Sequence, residues 1–578
     1  MNSEPFYLTA KEFAVRGRRD FPKEESPSNA LIYSSPATLS YNSPGANGFG
    51  VKRAGLVIPE SIMLLVSPGC CGRNSTILSR RSGYSERMFY LEMDETDLVT
   101  GRHLEKIPEA VKEIIEVPEK RPKVVLICIT CVDALLGTDL VRVCKKAEEA
   151  TGVHVVPSYM YALMREGTKP PMTAIRQSIY SLVKKKPKNP HAVNLLGYFA
   201  PLYDDSEIYD LFKEAGLTKV REIGRMASFD EYLEMGEANF NLVLNPEARF
   251  AADDMMERLG MPYVEMTRFY DIRKIRRQYE LLGGALGVQF KDSLYAVAAT
   301  IFLDQFRKNH PQLTFAIGQS LNANPFELAA ALISYGYKVE RIFANASEED
   351  LPYIRDIAAE SPETRLYTSI SPSMMNYEIG GHVDVTLGKD ASWYYPDAPN
   401  VPFASDRQPF GYRGLVRLLS EIELALRGKS SGESSAEDDG SVSKAGDVTG
   451  RRDSAARRRG QGIDWKELEA EMKDEAEAEG KSGRQKPPED ADTAVRTEYY
   501  KKKFAAQMEE IKKLRGSAPS GNEALESGKS EGSAPSGNEA LESGKSAEEG
   551  SAPSGNEASE DGAAAGDDGT DESKGDWT

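Results

Sequence analysis

The chain has 578 residues, 40% of them hydrophobic, and a formal net charge of −18, so it holds enough apolar material for a sizeable core and room for several domains. Residues 516–578 carry 15 acidic and 3 basic side chains, −12 of the −18, an excess that argues against nucleic acid as the main partner. No apolar run is long enough for a membrane span, the start MNSEPFYLTAKEF has neither the basic nor the apolar region of a signal peptide, and five cysteines in so long a chain do not make a disulfide framework, so a cytoplasmic, reducing location is expected.

Residues 1–54 show little periodicity and are rich in Ser, Pro, Asn and Gly. They read as an irregular arm, anchored by Tyr33, Tyr41 and Phe49. Residues 55–190 read as a first α/β unit. Residues 62–66 form an apolar run fit for one buried strand. Ser67-Pro68-Gly69 ends it, because Pro cannot donate to a ladder and Gly permits a tight turn. Cys70 and Cys71 follow at once, in what reads as a turn. Residues 88–91 predict a strand and 103–117 a helix. A second buried strand at 124–129 brings Cys128 and Cys131 to its end. A helix at 133–151 and a strand at 153–157 follow.

Residues 191–290 repeat this order. Strands at 193–199, 218–223, 240–244 and 262–266 alternate with helices at 204–215, 228–236 and 248–259. Residues 291–428 do so a third time, with helices at 293–309, 326–335 and 415–427 and strands at 313–318, 338–343, 365–370 and 383–387. Such alternation predicts parallel βαβ units. After Gly428 the composition becomes that of a linker. Helical patterns at 465–479 and 497–514 read as solvated helices or as docking elements for a partner. The unit GSAPSGNEA then begins at Gly516, Gly532 and Gly550. Leu525, Leu541 and Trp577 are the only large apolar residues beyond Gly516, too few to offset the entropy of ordering the segment. A disordered acidic tail is expected. Deleting residues 516–578 should leave the melting temperature and any bound metal unchanged; a clear loss of either would make the segment structural.

Four of the five cysteines lie at two strand ends, where open α/β sheets bind ligands. Thiolates ligate soft metals and iron–sulfur clusters, usually four to a cluster. Two chains giving two each, or one chain giving four, would suffice. Cys128-x-x-Cys131 by itself also fits thioredoxin-like redox chemistry, and buried cysteines often serve as small hydrophobes. Cys144 lies in a helical pattern and reads as packing.

The order Pro68-x-x-Cys71-Gly72, Met93-Asp94-Glu95-x-Asp97-x-Val99-x-Gly101 and Cys131-x5-Gly137-x-Asp139 resembles the nitrogenase component 1 superfamily. Asn194-Leu195-Leu196-Gly197, Leu259-Gly260-Met261-Pro262-Tyr263, Phe315-Ala316-Ile317-Gly318 and Pro409-Phe410-Gly411-Tyr412-x-Gly414 continue the resemblance over about residues 45–428. It implies three Rossmann-like parallel-sheet domains, at 55–190, 191–290 and 291–428. It also implies a homodimer, or a heterodimer with a second component 1-like subunit, and an ATP-binding, reductase-like iron protein as electron donor.

Cys71 and Cys131 match two family ligands of the interfacial iron–sulfur cluster, with Cys70 or Cys128 assisting. No cysteine stands near Gly45, where the family has a further ligand, so a four-iron, four-sulfur cluster is expected rather than a larger one. No cysteine follows Cys144, and the stretch around Ser405-Asp406-Arg407 has no histidine. The family's molybdenum–iron cofactor, and with it dinitrogen reduction, is therefore not expected. The resemblance implies an iron–sulfur oxidoreductase subunit of unidentified substrate; the alternative is a non-catalytic scaffold for metallocluster assembly. His382-x-Asp384 reads either as a locally satisfied histidine or as a proton-donor pair in the cleft. Arg273-Lys274-x-Arg276-Arg277 reads as a solvated helix face. Gly-Lys-Ser recurs at Gly428, Gly480, Gly528 and Gly544 without the strand–helix setting of a P-loop, so ATP hydrolysis is assigned to a partner.

Overall fold

The computed structural model describes residues 5–16, 25, 35–37, 50–81, 83–160 and 171–430. The helical patterns at 465–479 and 497–514 and the repeats from Gly516 lie outside the described residues. The described start of the N-terminal arm is more regular than its composition suggests. β1 (Tyr7–Thr9) leads directly into a short helix, Ala10–Ala14. Thr9 caps that helix in a capping box with Glu12, which satisfies two of its orphan backbone donors.

The first sheet holds β2 (Ser61–Ser67), β3 (Met88–Glu92), β4 (Val124–Ile129) and β5 (His154–Tyr159), in the order β3-β2-β4-β5. All its pairings are parallel. β2 and β4 are buried along their whole length, and each fully buried Val, Leu or Ile contributes about 1.5–3 kcal/mol. Their side chains alternate between two cores. Met63, Leu65, Leu126 and Cys128 point to one, beneath the helices Val51–Gly55 and Pro171–Tyr180. Leu64, Val66, Val125 and Ile127 point to the other, with Cys144 and the helices His103–Ile114 and Leu140–Thr151. The helix expected at 133–151 is two, Cys131–Leu136 and Leu140–Thr151. Gly137, at φ 69°, breaks it in the left-handed conformation that glycine tolerates.

The second sheet holds β6 (Asn189–Leu196), β7 (Lys219–Glu222), β8 (Ala238–Val243) and β9 (Tyr263–Glu265), in the order β7-β6-β8-β9, again all parallel. The third holds β10 (Thr314–Gly318), β11 (Lys338–Phe343), β12 (Arg365–Tyr367), β13 (Val385–Leu387) and β14 (Asn400–Val401) in parallel, with β1 added antiparallel at the β12 edge. In each sheet the chain leaves the first strand to one side and later returns to its other side. The strand order therefore reverses between β2 and β4, between β6 and β8, and between β10 and β13. Ligands of open α/β sheets sit at such points, beyond the carboxyl ends of the strands.

One of the resembling motifs, Met93 to Gly101, has a structural role. Asp94 caps the helix Glu95–Thr100, with Asp97 as the reciprocal third residue and Gly101 as the left-handed cap. The Asp97 carboxylate receives Lys106 Nζ at 2.5 Å and Arg102 Nε at 2.7 Å. Lys106, together with Arg102 and the Asp94 amide, holds its carboxyl well below the usual carboxylate range. A lowered carboxyl adds stability that is complete above its unfolded value, about 4, and is lost as pH falls through the folded value. Asp97→Asn should thus melt below the wild type near neutral pH, with the gap narrowing below about pH 4. A gap of equal size in acid would show that the charge is not what holds this turn.

Candidate metal centre

The stretch Gly69–Arg81 is a helix. Cys70 and Cys71 therefore lie in its first turn rather than in the turn that Pro68 and two glycines suggest. Gly72 is within the helix for a steric reason. A Cβ there would lie 2.0 Å from Cζ of Tyr90, whose ring packs on this face and whose hydroxyl donates to Ser67 O at 3.1 Å. The cysteine helix is thus fitted against β3.

Cys131 opens the helix just beyond β4. Because β2 and β4 are direct neighbours in parallel, both cysteine pairs occupy the carboxyl edge at the strand-order reversal of the first sheet. Cys70 is exposed, Cys71 and Cys131 are half-buried, and Cys128 is buried. Cys70 Sγ lies 3.9 Å from Cys71 Sγ, too far for a disulfide. Burial pushes the Cys71 thiol up; the Cys70 sulfur and a charge on Cys131 add to this, and Lys52 opposes it. Among the described residues no three His, Cys, Asp or Glu side chains converge as a metal site.

Sequence reasoning missed Lys52. It lies in the helix Val51–Gly55, inside the segment read as an irregular arm, and is buried on the same side of the sheet as Cys128. Burial lowers its ammonium pKa, while charges on Cys128 and Cys71 raise it. Anionic sulfur is the chemistry that such a position favours, and a thiolate-ligated cluster supplies it. The donor set therefore fits an iron–sulfur group. The only signal in the sequence was a lysine beside a long apolar stretch, which ordinarily means a surface residue.

The other candidates lie elsewhere. His382 is 82% exposed and 3.6 Å from Asp384, at the amino end of β13, the opposite edge from the ligand-binding one. It is not a proton-donor pair in the cleft. Arg273, Lys274, Arg276 and Arg277 pair with Asp271, Asp356 and Glu280. Where the family histidine would fall, Asp406 grips Arg53 at 2.5 Å and Arg407 grips Asp204 at 2.8 Å. Cys144 is buried on the opposite face of the first sheet.

Three mainly parallel sheets, with four cysteines near the switch point of the first, define an α/β protein. Residues 47–427 match the family model of nitrogenase component 1 type oxidoreductases, and the chain belongs to that family. It is 25% identical over 365 residues to the nitrogenase iron–molybdenum cofactor biosynthesis protein NifE of Sinorhizobium fredii, covering 58% of this chain and 71% of that one. It is also 25% identical over 417 residues to NifE of Klebsiella pneumoniae, covering 66% and 90%. The solved structure of nitrogenase Cp1 at pH 6.5 shares the fold, with a TM-score of 0.54 at 18% identity over 73% of this chain and 99% of that one. Among the described residues no helix is long and apolar enough to cross a membrane.

Proposed function

We propose that this chain is the cluster-binding subunit of an iron–sulfur oxidoreductase. It receives electrons from an ATP-dependent reductase partner and delivers them to an unidentified substrate. The observation that carries this reading is the pairing of two cysteine groups across adjacent strands at the switch point, beside a buried cation. Cys71 and Cys131 are the ligands, with Cys70 or Cys128 assisting. A bound iron–sulfur group supplies one-electron chemistry. If two subunits share one four-iron, four-sulfur cluster, each need give only two thiolates. The division into domains at 55–190, 191–290 and 291–428 belongs to the same reading. Dinitrogen reduction and a molybdenum–iron cofactor do not, because the positions that would hold that cofactor carry other residues.

A second reading, a scaffold on which a metallocluster is assembled, is favoured by the names of the NifE relatives. The two separate in one experiment. Protein purified without oxygen is assayed for iron and sulfide and examined by paramagnetic resonance, then mixed with reductase and ATP. Reoxidation of the reduced signal by added substrates supports the oxidoreductase. Transfer of iron and sulfur to an acceptor protein, without turnover, supports the scaffold. Protein without iron or sulfide, even after reconstitution, overturns both.

A further inference from the structure

Among the described residues three Lys or Arg side chains are buried, and two of them are paired with carboxylates. Arg176 pairs with Glu247 at 2.5 Å and donates to Gly197 O. Arg221 pairs with Glu234 and Glu237 at 2.9 and 3.0 Å. The half-buried Arg87 donates to the carbonyls of Ser61, Leu56 and Ile58 and to Ser61 Oγ. Lys52 is only 5% exposed. Among the described residues it makes one hydrogen bond, to Ser75 Oγ at 2.8 Å, although an ammonium has three donors. Among the described residues no carboxylate forms an ion pair with it. Ser75 stands one helical turn after Cys71, so this bond holds the ammonium beside the cysteine face.

A buried charge without a partner opposes folding strongly, and an apolar side chain of similar volume is ordinarily better there. We propose that Lys52 is the fixed counter-charge for an anionic iron–sulfur group held by Cys71 and Cys131, placed by Ser75 and kept dry by the core beneath the sheet. The proposal rests on the cluster reading above and adds to it the residue that sets the group's affinity and potential. A fixed positive charge near a cluster favours the reduced, more negative state. In the iron-free protein the same charge works against stability.

The test compares wild type, Lys52→Met, which keeps the length and removes the charge, and Lys52→Arg, which keeps the charge. Each is measured for melting temperature without iron, iron per chain after anaerobic reconstitution, and midpoint potential. Lys52→Met is expected to melt at or above the wild type without iron. With iron it should either fail to retain the metal or shift the reduced-to-oxidised ratio at fixed potential at least tenfold toward oxidised, about 59 mV for one electron. Lys52→Arg should retain the wild-type midpoint. A Lys52→Met protein that unfolds or melts lower without iron makes the lysine a structural element and overturns the proposal. So does equal iron and equal midpoint in wild type and Lys52→Met, which leaves the cluster reading standing. Wild type that takes up no iron removes both.

Discussion

Reconstituted without oxygen, the Cys71→Ala, Cys131→Ala double variant is expected to bind essentially no iron. The two thiols stand at the ends of directly paired strands, and a cluster shared by two subunits needs two ligands from each. Losing one per chain halves the set, so Cys131→Ala alone should already abolish the paramagnetic signal, since no other thiol stands in its turn. Cys144→Ala is the control. That residue is buried in the core on the far face of the sheet, in one cluster with Val143, Ala147 and Ile107, and its loss should cost about 1 kcal/mol of stability and no iron. Full iron loading of the double variant would return both cysteines to ordinary packing.

Gly72→Ala should be strongly destabilising for so small a change. The added Cβ would stand 2.0 Å from Cζ and 2.1 Å from Cε2 of Tyr90. The ring cannot simply swing away, because Tyr90 is paired with Leu65 in the sheet and its hydroxyl is bound to Ser67 O. Overpacking of this kind costs about 1–3 kcal/mol and sometimes more. Since Gly72 follows Cys71, the strain falls on the cysteine turn, so iron uptake should decline with stability. Adding Tyr90→Ala should recover much of the loss, a non-additive pair of the sort that contacting residues show. Denaturant melts of the four proteins measure it. Simple additivity would mean the helix shifts without pressing on the ring.

The central strands were legible because their burial writes itself as continuous apolar runs; β2, β4 and β10 fall within a residue or two of where those runs stand. The short helix at Asp94 was not legible as a capped helix, since its six residues hold no apolar period. The helix over Gly69–Arg81 was hidden by Pro68 and two glycines, which read as a stop; only the distant Tyr90 explains a glycine inside a helix. Leu351–Glu360, a helix, and β14 were passed over, the one for its leading Pro and the other for being two residues long. The site divides the same way. Cysteines announce themselves by scarcity, whereas Lys52 is one of 72 basic residues and only burial distinguishes it.

The antiparallel strand at the edge of the third sheet has a consequence for the order of events on the ribosome. Tyr7 pairs with Tyr367, and the Ala10 amide bonds to Thr364 O. The first strand to be synthesised is therefore among the last to find its place. At about 5–20 residues per second, roughly tens of seconds of translation separate the two partners. During that time β12's partner must remain uncommitted, and until it arrives the β12 edge is an open template for other chains. A protein shortened by its first fifteen residues would keep all three parallel sheets and the cysteine edge, yet carry that open edge permanently. Its weakness would be association at high concentration during refolding, at the edge of a different sheet from the one that carries the cysteines.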